Sequence, residues 1–287
     1  MIDTAAPIEF ALTPVAPFDL AGSVRAPDAT RRASGGVLTL VFPTDAGPAA
    51  ARVWQRPDGT VCARIDADGA EAAHDRLIEM LGLRVDTRPF LALASADPLL
   101  APLAARMRGR RPILLGTPAH ALIRAVCGQL IRSSEAARIE RRILRDLGRQ
   151  HQGFVLAPHA AELSASHPAR FERAGLSPKR AVVLSRTARR LRLDALASEP
   201  AAIARTRILR EPGLGRWSAG VLMMYGFGRH ELGLSGDLGL IRLAGALGVD
   251  EPSLLDRYGE WQGLASLWLL SHPMAARHSL PRLVASY

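Results

Sequence analysis

The period of the apolar pattern changes once along this 287-residue chain, and that change divides what the two parts can fold into. Ahead of it, "GGVLTLVF" (35–42) is a β-branched and aromatic run. "ARVWQRPDGTVCARID" (51–66) sets alternating segments on either side of Pro57-Asp58-Gly59, a hairpin signal. "GAEAAHDRLIEMLGL" (69–83) carries Ala73, Leu77, Met80 and Leu81 at helical spacing and stops at Gly82. From "DPLLAPLAARM" (97–107) onward, helix follows helix. "TPAHALIRAVCGQLIRSSEAARIERRILRDLG" (117–148) predicts one or two long helices, with Thr117 as N-cap, Pro118 at the first helical position and Gly148 as a stop. "SPKRAVVLSRTARRL" (177–191) opens the same way, with Ser177 capping. The expectation is an α+β protein: a small N-terminal antiparallel sheet with a helix over 1–90, then an all-α bundle over 91–287, the boundary falling within 86–98.

Charge narrows the partner. The formal net charge is +10 and, of 37 basic residues, only Lys179 is lysine, leaving 36 arginines. Clustered cations gain affinity for phosphates by releasing counterions, which makes nucleic acid the leading partner class; an arginine-biased, alanine-rich composition accounts for the same pI as background. Arginine runs at 108–111, 138–145 and 186–192 read mostly as solvated helix faces, of which one or two could track a DNA backbone. Cys62 and Cys127 are the only cysteines, so this chain alone builds neither a four-cysteine zinc site nor a four-cysteine iron-sulfur cluster. The eight histidines show no HxH or HExxH spacing, so no catalytic metal is expected. No apolar run approaches the ~18 residues of a membrane span. The start "MIDTAAPIEFALTPVAPFDLAG" lacks the basic and long apolar segments of a signal peptide, and a cytoplasmic, nucleoid-associated setting with no obligate protein partner is expected.

"REPGLGRWSAG" (210–220) places Pro212, Gly213 and Gly215 between two helical patterns. A dinucleotide fingerprint or a phosphate-cradling P-loop needs a strand before the glycines, whereas "AAIARTRIL" is helical and no Gly-Lys-Ser/Thr follows. Helix, Pro-Gly-Leu-Gly, helix is instead a hairpin that can aim backbone N–H groups and a helix N-terminus at an anion such as a DNA phosphate. Taken alone, it reads first as an ordinary helix connection. Arg210 and Arg216 flank it, Trp217 follows, and a lone acid, Asp237, lies further along in "LSGDLGLIR".

With these residues in view, "LREPGLGRWSAGVLMMYGFGRHELGLSGDLGLIRL" (209–243) resembles the helix-hairpin-helix DNA glycosylases of base excision repair, and most closely their bacterial DNA-3-methyladenine glycosylase II branch. The resemblance extends to the helix with its Gly-Gln-Leu turn at 128–130, to the last helix around "RYGEWQGLASLWLLSH", and loosely to the N-terminal domain. It implies Asp237 as the catalytic aspartate, although by pattern Gly236-Asp237 opening a helix is simply an N-cap. It implies Gly213, Leu214, Gly215 and Arg216 as the phosphate grip, with a monovalent cation, Na⁺ or K⁺, on hairpin backbone carbonyls. Gln129 and Leu130 become the wedge that fills the gap left by an extruded nucleotide; by pattern Leu130 is a core leucine.

Trp217 stands where strand-cutting relatives carry a Schiff-base lysine, so the resemblance implies a monofunctional enzyme without lyase activity and without an iron-sulfur cluster. Its indole face suits a base made cationic by alkylation, while core packing explains a tryptophan there as well. The family's pocket commonly has further aromatics one turn after that tryptophan and directly after the aspartate. Here those places are Val221 and Leu238, and Trp268 or Trp261 supplies the C-terminal pocket side. The activity implied is excision of alkylated purines from double-stranded DNA; deaminated, oxidised or crosslinked bases, or DNA binding without catalysis, are the alternatives.

Overall fold

Alternation of β-branched residues builds the N-terminal unit of the computed structural model, which describes residues 7–24 and 28–276. The first six residues, and with them part of the stretch read for a targeting signal, lie outside the described residues. Five strands pair antiparallel in the order β1-β5-β4-β3-β2. They are β1 (Ile8–Leu12), β2 (Arg31–Ser34), β3 (Val37–Thr44), β4 (Gly47–Gln55) and β5 (Val61–Ala67), with a short helix α1 (Leu20–Ser23) between the first two. The period of two puts Leu38, Leu40, Ala51, Val53, Ala63 and Ile65 on one face, where Leu38 lies opposite Val53 and Ala51 opposite Ile65. Helix α2 (Ala70–Leu81) covers that face with Leu77, Ile78 and Leu81, all about fully buried, and ends at Gly82 in the left-handed conformation. The turn expected at Pro57-Asp58-Gly59 joins β4 to β5, with Gly59 at φ +89° and Asp58 accepting the Thr60 N–H.

The helical part comprises α3 (Arg88–Ala96), α4 (Ala101–Met107), α5 (Pro118–Cys127), α6 (Ser133–Leu147), α7 (Ala160–Ala165), α8 (Pro168–Ala174), α9 (Pro178–Arg190), α10 (Leu193–Ser198), α11 (Ala201–Leu209), α12 (Arg216–Gly226), α13 (Leu238–Leu247), α14 (Glu251–Asp256), α15 (Gln262–Leu269) and α16 (Pro273–Ala276). Helix α5 is its axle: every residue from Ala119 to Cys127 except Arg124 is buried, and α6, α9 and α12 pack around it. None of the described helices is long and apolar enough to cross a membrane. Residues 117–148 form two helices, because the chain turns at 128–130 after α5. Thr117 accepts the His120 N–H as expected of a cap. Ser177 sits at the N-cap of α9 but its side chain accepts no helix N–H, a correction to the capping read from sequence; Pro178 at the first helical position suffices to start the helix. A hairpin of three-residue strands, β6 (Arg149–His151) and β7 (Phe154–Leu156), turning through Gln152 at φ +46° and Gly153 at φ +79°, was not foreseen. Phe154 and Leu156 cover Val41 and Ala50 on the sheet's other face.

Two arginines, Arg111 buried and Arg124 partly so, join sheet to bundle. Arg111, read as part of a solvated arginine run, is 3% exposed, which corrects that reading. Its guanidinium donates to the carbonyls of Gly82 and Val85 through Nη1 and of Ala16 and Pro17 through Nη2, and lies 5.2 Å from the Phe18 ring. With no carboxylate beside it, burial pushes its pKa down to about 10, so it stays charged at neutral pH. Arg124 lies between Glu140 of α6 (Nη2 to Oε1, 2.8 Å) and Asp28 ahead of β2 (3.0 Å), with the Tyr225 ring of α12 5.9 Å away. His120 donates Nε2–H to the same Glu140 oxygen at 2.8 Å, and Arg31 pairs with Asp28 at 3.3 Å. Burial opposes the charge on both carboxylates, yet Arg31, His120 and Arg124 hold Asp28 well below its ordinary range, and Arg124 with His120 draws Glu140 down to about 2.

Two outcomes follow for stability. Replacing Arg111 with Met leaves four carbonyls, one fully and three partly buried, without their donor and lowers stability by about 3 kcal/mol, read as a drop in melting temperature; an unchanged melting temperature contradicts the assigned role. A depressed carboxylate pKa gives stability that is complete above the unfolded value of 4.5 and is lost as pH falls toward about 2. Denaturant titrations across that window give a falling stability for the wild type and a shallower fall for Glu140→Gln, and parallel curves count against the linkage.

Candidate functional site

The hairpin follows from glycine at two places. Gly213 takes φ +91°, and a Cβ there would come 2.5 Å from Val183 Cγ2 of α9, so only glycine lets the turn lie this close. Gly215 is the N-cap of α12 and has no side-chain cap, which leaves the first N–H groups of an 11-residue helix facing outward with Arg210 and Arg216 exposed beside them. Leu214 is packed inward at 6% exposure. Helix α9 braces the turn from behind: Arg186 donates to the Pro212 carbonyl, and Arg190 pairs at 3.2 Å with Glu211, itself 6% exposed. The hairpin carbonyls meet protein donors: Glu211 O accepts from Leu214 N, Pro212 O from Arg186 and Gly213 O from Gln129. A guanidinium already on the Pro212 carbonyl does not favour the monovalent cation that the resemblance implies.

Helix α12 presents Trp217 at its first turn, and the loop from 227 to 237 returns Asp237 to it. That return depends on close contact: a Cβ on Gly220 would sit 2.2 Å from the Gly233 carbonyl oxygen, so the loop lies directly on the helix. Ser266 Oγ of α15 accepts the Leu234 N–H at 3.0 Å, Leu234 O accepts Asp237 N–H at 3.0 Å, and Gly236 at φ +92° turns the chain into α13. Asp237 is the N-cap of α13, its Oδ1 accepting the Gly239 N–H at 2.8 Å. Its other oxygen, Oδ2, accepts the Trp217 indole N–H at 3.3 Å. One carboxylate oxygen thus caps the start of α13, as the N-cap reading expects, while the other accepts from the hairpin tryptophan. Both residues are half-buried.

The turn between α5 and α6 approaches the same place. Gln129 donates its side-chain amide to Gly213 O at 2.8 Å and to Ser218 Oγ at 3.0 Å, spanning from the turn to both the hairpin and α12. Leu130 is 94% exposed and has φ +53°. It is no core residue. A leucine held left-handed costs ~1–2 kcal/mol, and exposing the whole side chain forgoes ~2 kcal/mol of burial, so two costs fall on one residue whose neighbours are built to keep it there.

The remaining sequence candidates divide. Leu238 is 52% exposed directly after Asp237. Val221 and Trp268 lie below the surface at 4% and 1% exposure, and Trp268 packs edge-on to Phe90 with ring centroids 5.0 Å apart. Neither offers a face to solvent. Trp261 stacks near His230 at 6.3 Å, whose pKa burial lowers to about 4. A shallow groove of about 550 Å³ is lined by Trp217 together with Arg216, Gly236, Ser235 and Glu251. Sequence reading passed over Gly128 and Ser218 as site residues, and over the arginines of α9 as hairpin braces. The i, i+3, i+4, i+7 spacing of Val183, Arg186, Thr187 and Arg190 was the available signal.

Among the described residues, one cluster has the donor set for a metal: Asp28, His120 and Glu140, with ligand atoms within 4.8 Å of one another. The Arg124 guanidinium already bonds both carboxylates there. A cation at that point would face this guanidinium, so the cluster is an ion-pair network.

No family model matches this chain, and no curated protein matches it by sequence. Solved structures do. A 3-methyladenine DNA glycosylase from Archaeoglobus fulgidus is similar at TM-score 0.79 and 18% identity, over 91% of this chain and 97% of the other. An 8-oxoguanine glycosylase/lyase from Clostridium acetobutylicum follows at TM-score 0.74 and 17% identity, over 94% of this chain and 100% of that one. A fission-yeast 3-methyladenine DNA glycosylase in complex with abasic DNA is similar at TM-score 0.50 and 19% identity, over 62% of this chain and 92% of its own. At these identities the likeness is one of architecture: the chain has the α+β fold seen in these DNA glycosylases.

Proposed function

We propose that this protein is a monofunctional DNA glycosylase that removes alkylated purines, of the 3-methyladenine and 7-methylguanine type, from duplex DNA. The observation that carries the reading is the Asp237 carboxylate, fixed by the start of α13 and by the Trp217 indole, beside a hairpin that aims helix N–H groups and two arginines outward. The hairpin and Arg210 and Arg216 hold a phosphate. Leu130 enters the base stack where the damaged nucleotide leaves it, offsetting part of an unstacking cost of a few kcal/mol. The extruded base rests against the indole, and a purine already cationic from N3- or N7-alkylation is attracted to that ring. Breaking the N-glycosidic bond leaves the electron pair on the base and positive charge on the sugar. Asp237 stabilises that charge and orients a water whose oxygen bonds C1′ while its proton is released, giving free base and an abasic site.

Two features favour this substrate class and this end point. The site offers one carboxylate and one indole, which is enough for a base that is already a good leaving group. A Schiff-base route needs an amine at the hairpin; tryptophan stands there, and Lys179 is exposed on α9. The fold also serves an 8-oxoguanine glycosylase/lyase, so the lesion must be read by assay.

A panel of single-lesion duplexes carrying alkylated, deaminated, oxidised or crosslinked bases gives release from the alkylated purines, and borohydride traps no protein–DNA adduct. Asp237→Asn lowers single-turnover release by about 10²–10³-fold, with duplex affinity held within about threefold. Release that survives this substitution removes Asp237 from the mechanism. Salt-sensitive duplex binding with no base freed from any lesion identifies a non-catalytic binding protein instead.

A further inference from the structure

Resting on that reading, we propose that Gly128 and Gln129 are positioning residues that tie the exposed Leu130 turn to the Trp217–Asp237 pair, so that seating the wedge and placing the carboxylate are one event. Three contacts carry this. A Cβ on Gly128 would lie 2.4 Å from Trp217 Cη2 and 3.2 Å from Cζ3, so the indole rests on the bare backbone at the end of α5. Gln129 spends both amide hydrogens across the gap, one on Gly213 O in the hairpin and one on Ser218 Oγ, the residue after Trp217. The far side of the same indole donates to Asp237 Oδ2. The path from Leu130 to the carboxylate therefore runs through the bare backbone of Gly128 and one rigid ring, and the Gln129 side chain is pinned at its amide by two hydrogen bonds.

The turn cannot shift without moving the ring. Gly128 at φ −78° is in an ordinary helical conformation, so its lack of a side chain serves the contact with Trp217 and not the backbone. Leu130 carries the backbone strain instead, at φ +53°. A duplex that presses on Leu130 thus acts through Gln129 on the hairpin that holds its phosphate and through Gly128 on the ring that sets Asp237.

The test separates this coupling from the function it serves. In protein labelled with 5-fluorotryptophan, the four tryptophans give four ¹⁹F resonances, and Trp217→Phe identifies the one at the site. Gly128→Ala shifts that resonance alone and lowers single-turnover base release by about 10²-fold, with duplex affinity changed by less than about threefold. Gln129→Ala, which adds no bulk and serves if the alanine at 128 fails to fold, shifts the same resonance and lowers release in the same direction. Binding a lesion duplex moves the Trp217 resonance in the wild type and moves it less when Leu130 is alanine. A Trp217 resonance unmoved in both variants, or all four resonances moving together, overturns the coupling, as does a loss of affinity that accounts for the whole loss of rate. A wild type that frees no base from any lesion defeats the glycosylase reading, while the ¹⁹F shifts still decide whether the turn and the ring are coupled.

Discussion

The guanidinium of Arg124, held between Glu140 and Asp28, is the interaction on which the rest of the structure depends. It belongs to α5, the axle of the bundle, and its partners lie in two directions, on the neighbouring helix α6 and on the chain entering β2. Tyr225 of α12 lies against it. Removing one member would leave uncompensated charge in a dry interior, which costs far more than the pair itself contributes, so the network fixes relative position as much as it stabilises. Its functional weight lies at the helix ends. Gly128 is the C-cap of α5, where the turn to Leu130 begins, and Trp217 lies in the first turn of α12. Holding the two helices in one register brings the turn, the ring and the hairpin within contact.

Close approach of backbone to neighbouring groups is the second principle of the site. Gly213 admits Val183, Gly220 admits the carbonyl of Gly233, and Gly128 admits the Trp217 ring, each at a distance that a methyl group would violate. The catalytic apparatus proposed here is small, one carboxylate and one indole, and its precision comes from these three contacts and from the helix start that takes Asp237 Oδ1. A reaction whose leaving group is already activated needs little more than a charge held in the right place.

Much of this was legible in the sequence because it is local. The Pro-Gly-Leu-Gly hairpin, the aspartate opening a helix, the hairpin turn at Gly59 and the cap at Thr117 each depend on residues within a few positions of one another. What was not legible depends on distant partners. The three-residue strands β6 and β7 are too short to show a period, and they exist because Val41 and Ala50 need covering. Arg111 looked like one more solvated arginine, and only the folded chain brings four carbonyls to it. Trp268 was read toward the pocket from its place in the last helix, but the facing residue is Phe90, some 180 positions earlier, which no local pattern announces. Leu130 was the opposite case: an apolar residue that pattern assigns to a core is held in the open by the turn on either side of it.

The charge-stabilising role of Asp237 is tested most directly by binding, without waiting for turnover. Duplexes carrying, at the abasic position, either a pyrrolidine whose ring nitrogen is cationic at the place of C1′ or the neutral tetrahydrofuran ring differ only in the charge that the reaction builds. The wild type is predicted to bind the cationic duplex at least about 10²-fold more tightly than the neutral one, and Asp237→Asn to bind the two alike. Equal affinity of the wild type for both duplexes, or a preference for the cation that survives in Asp237→Asn, contradicts the central claim.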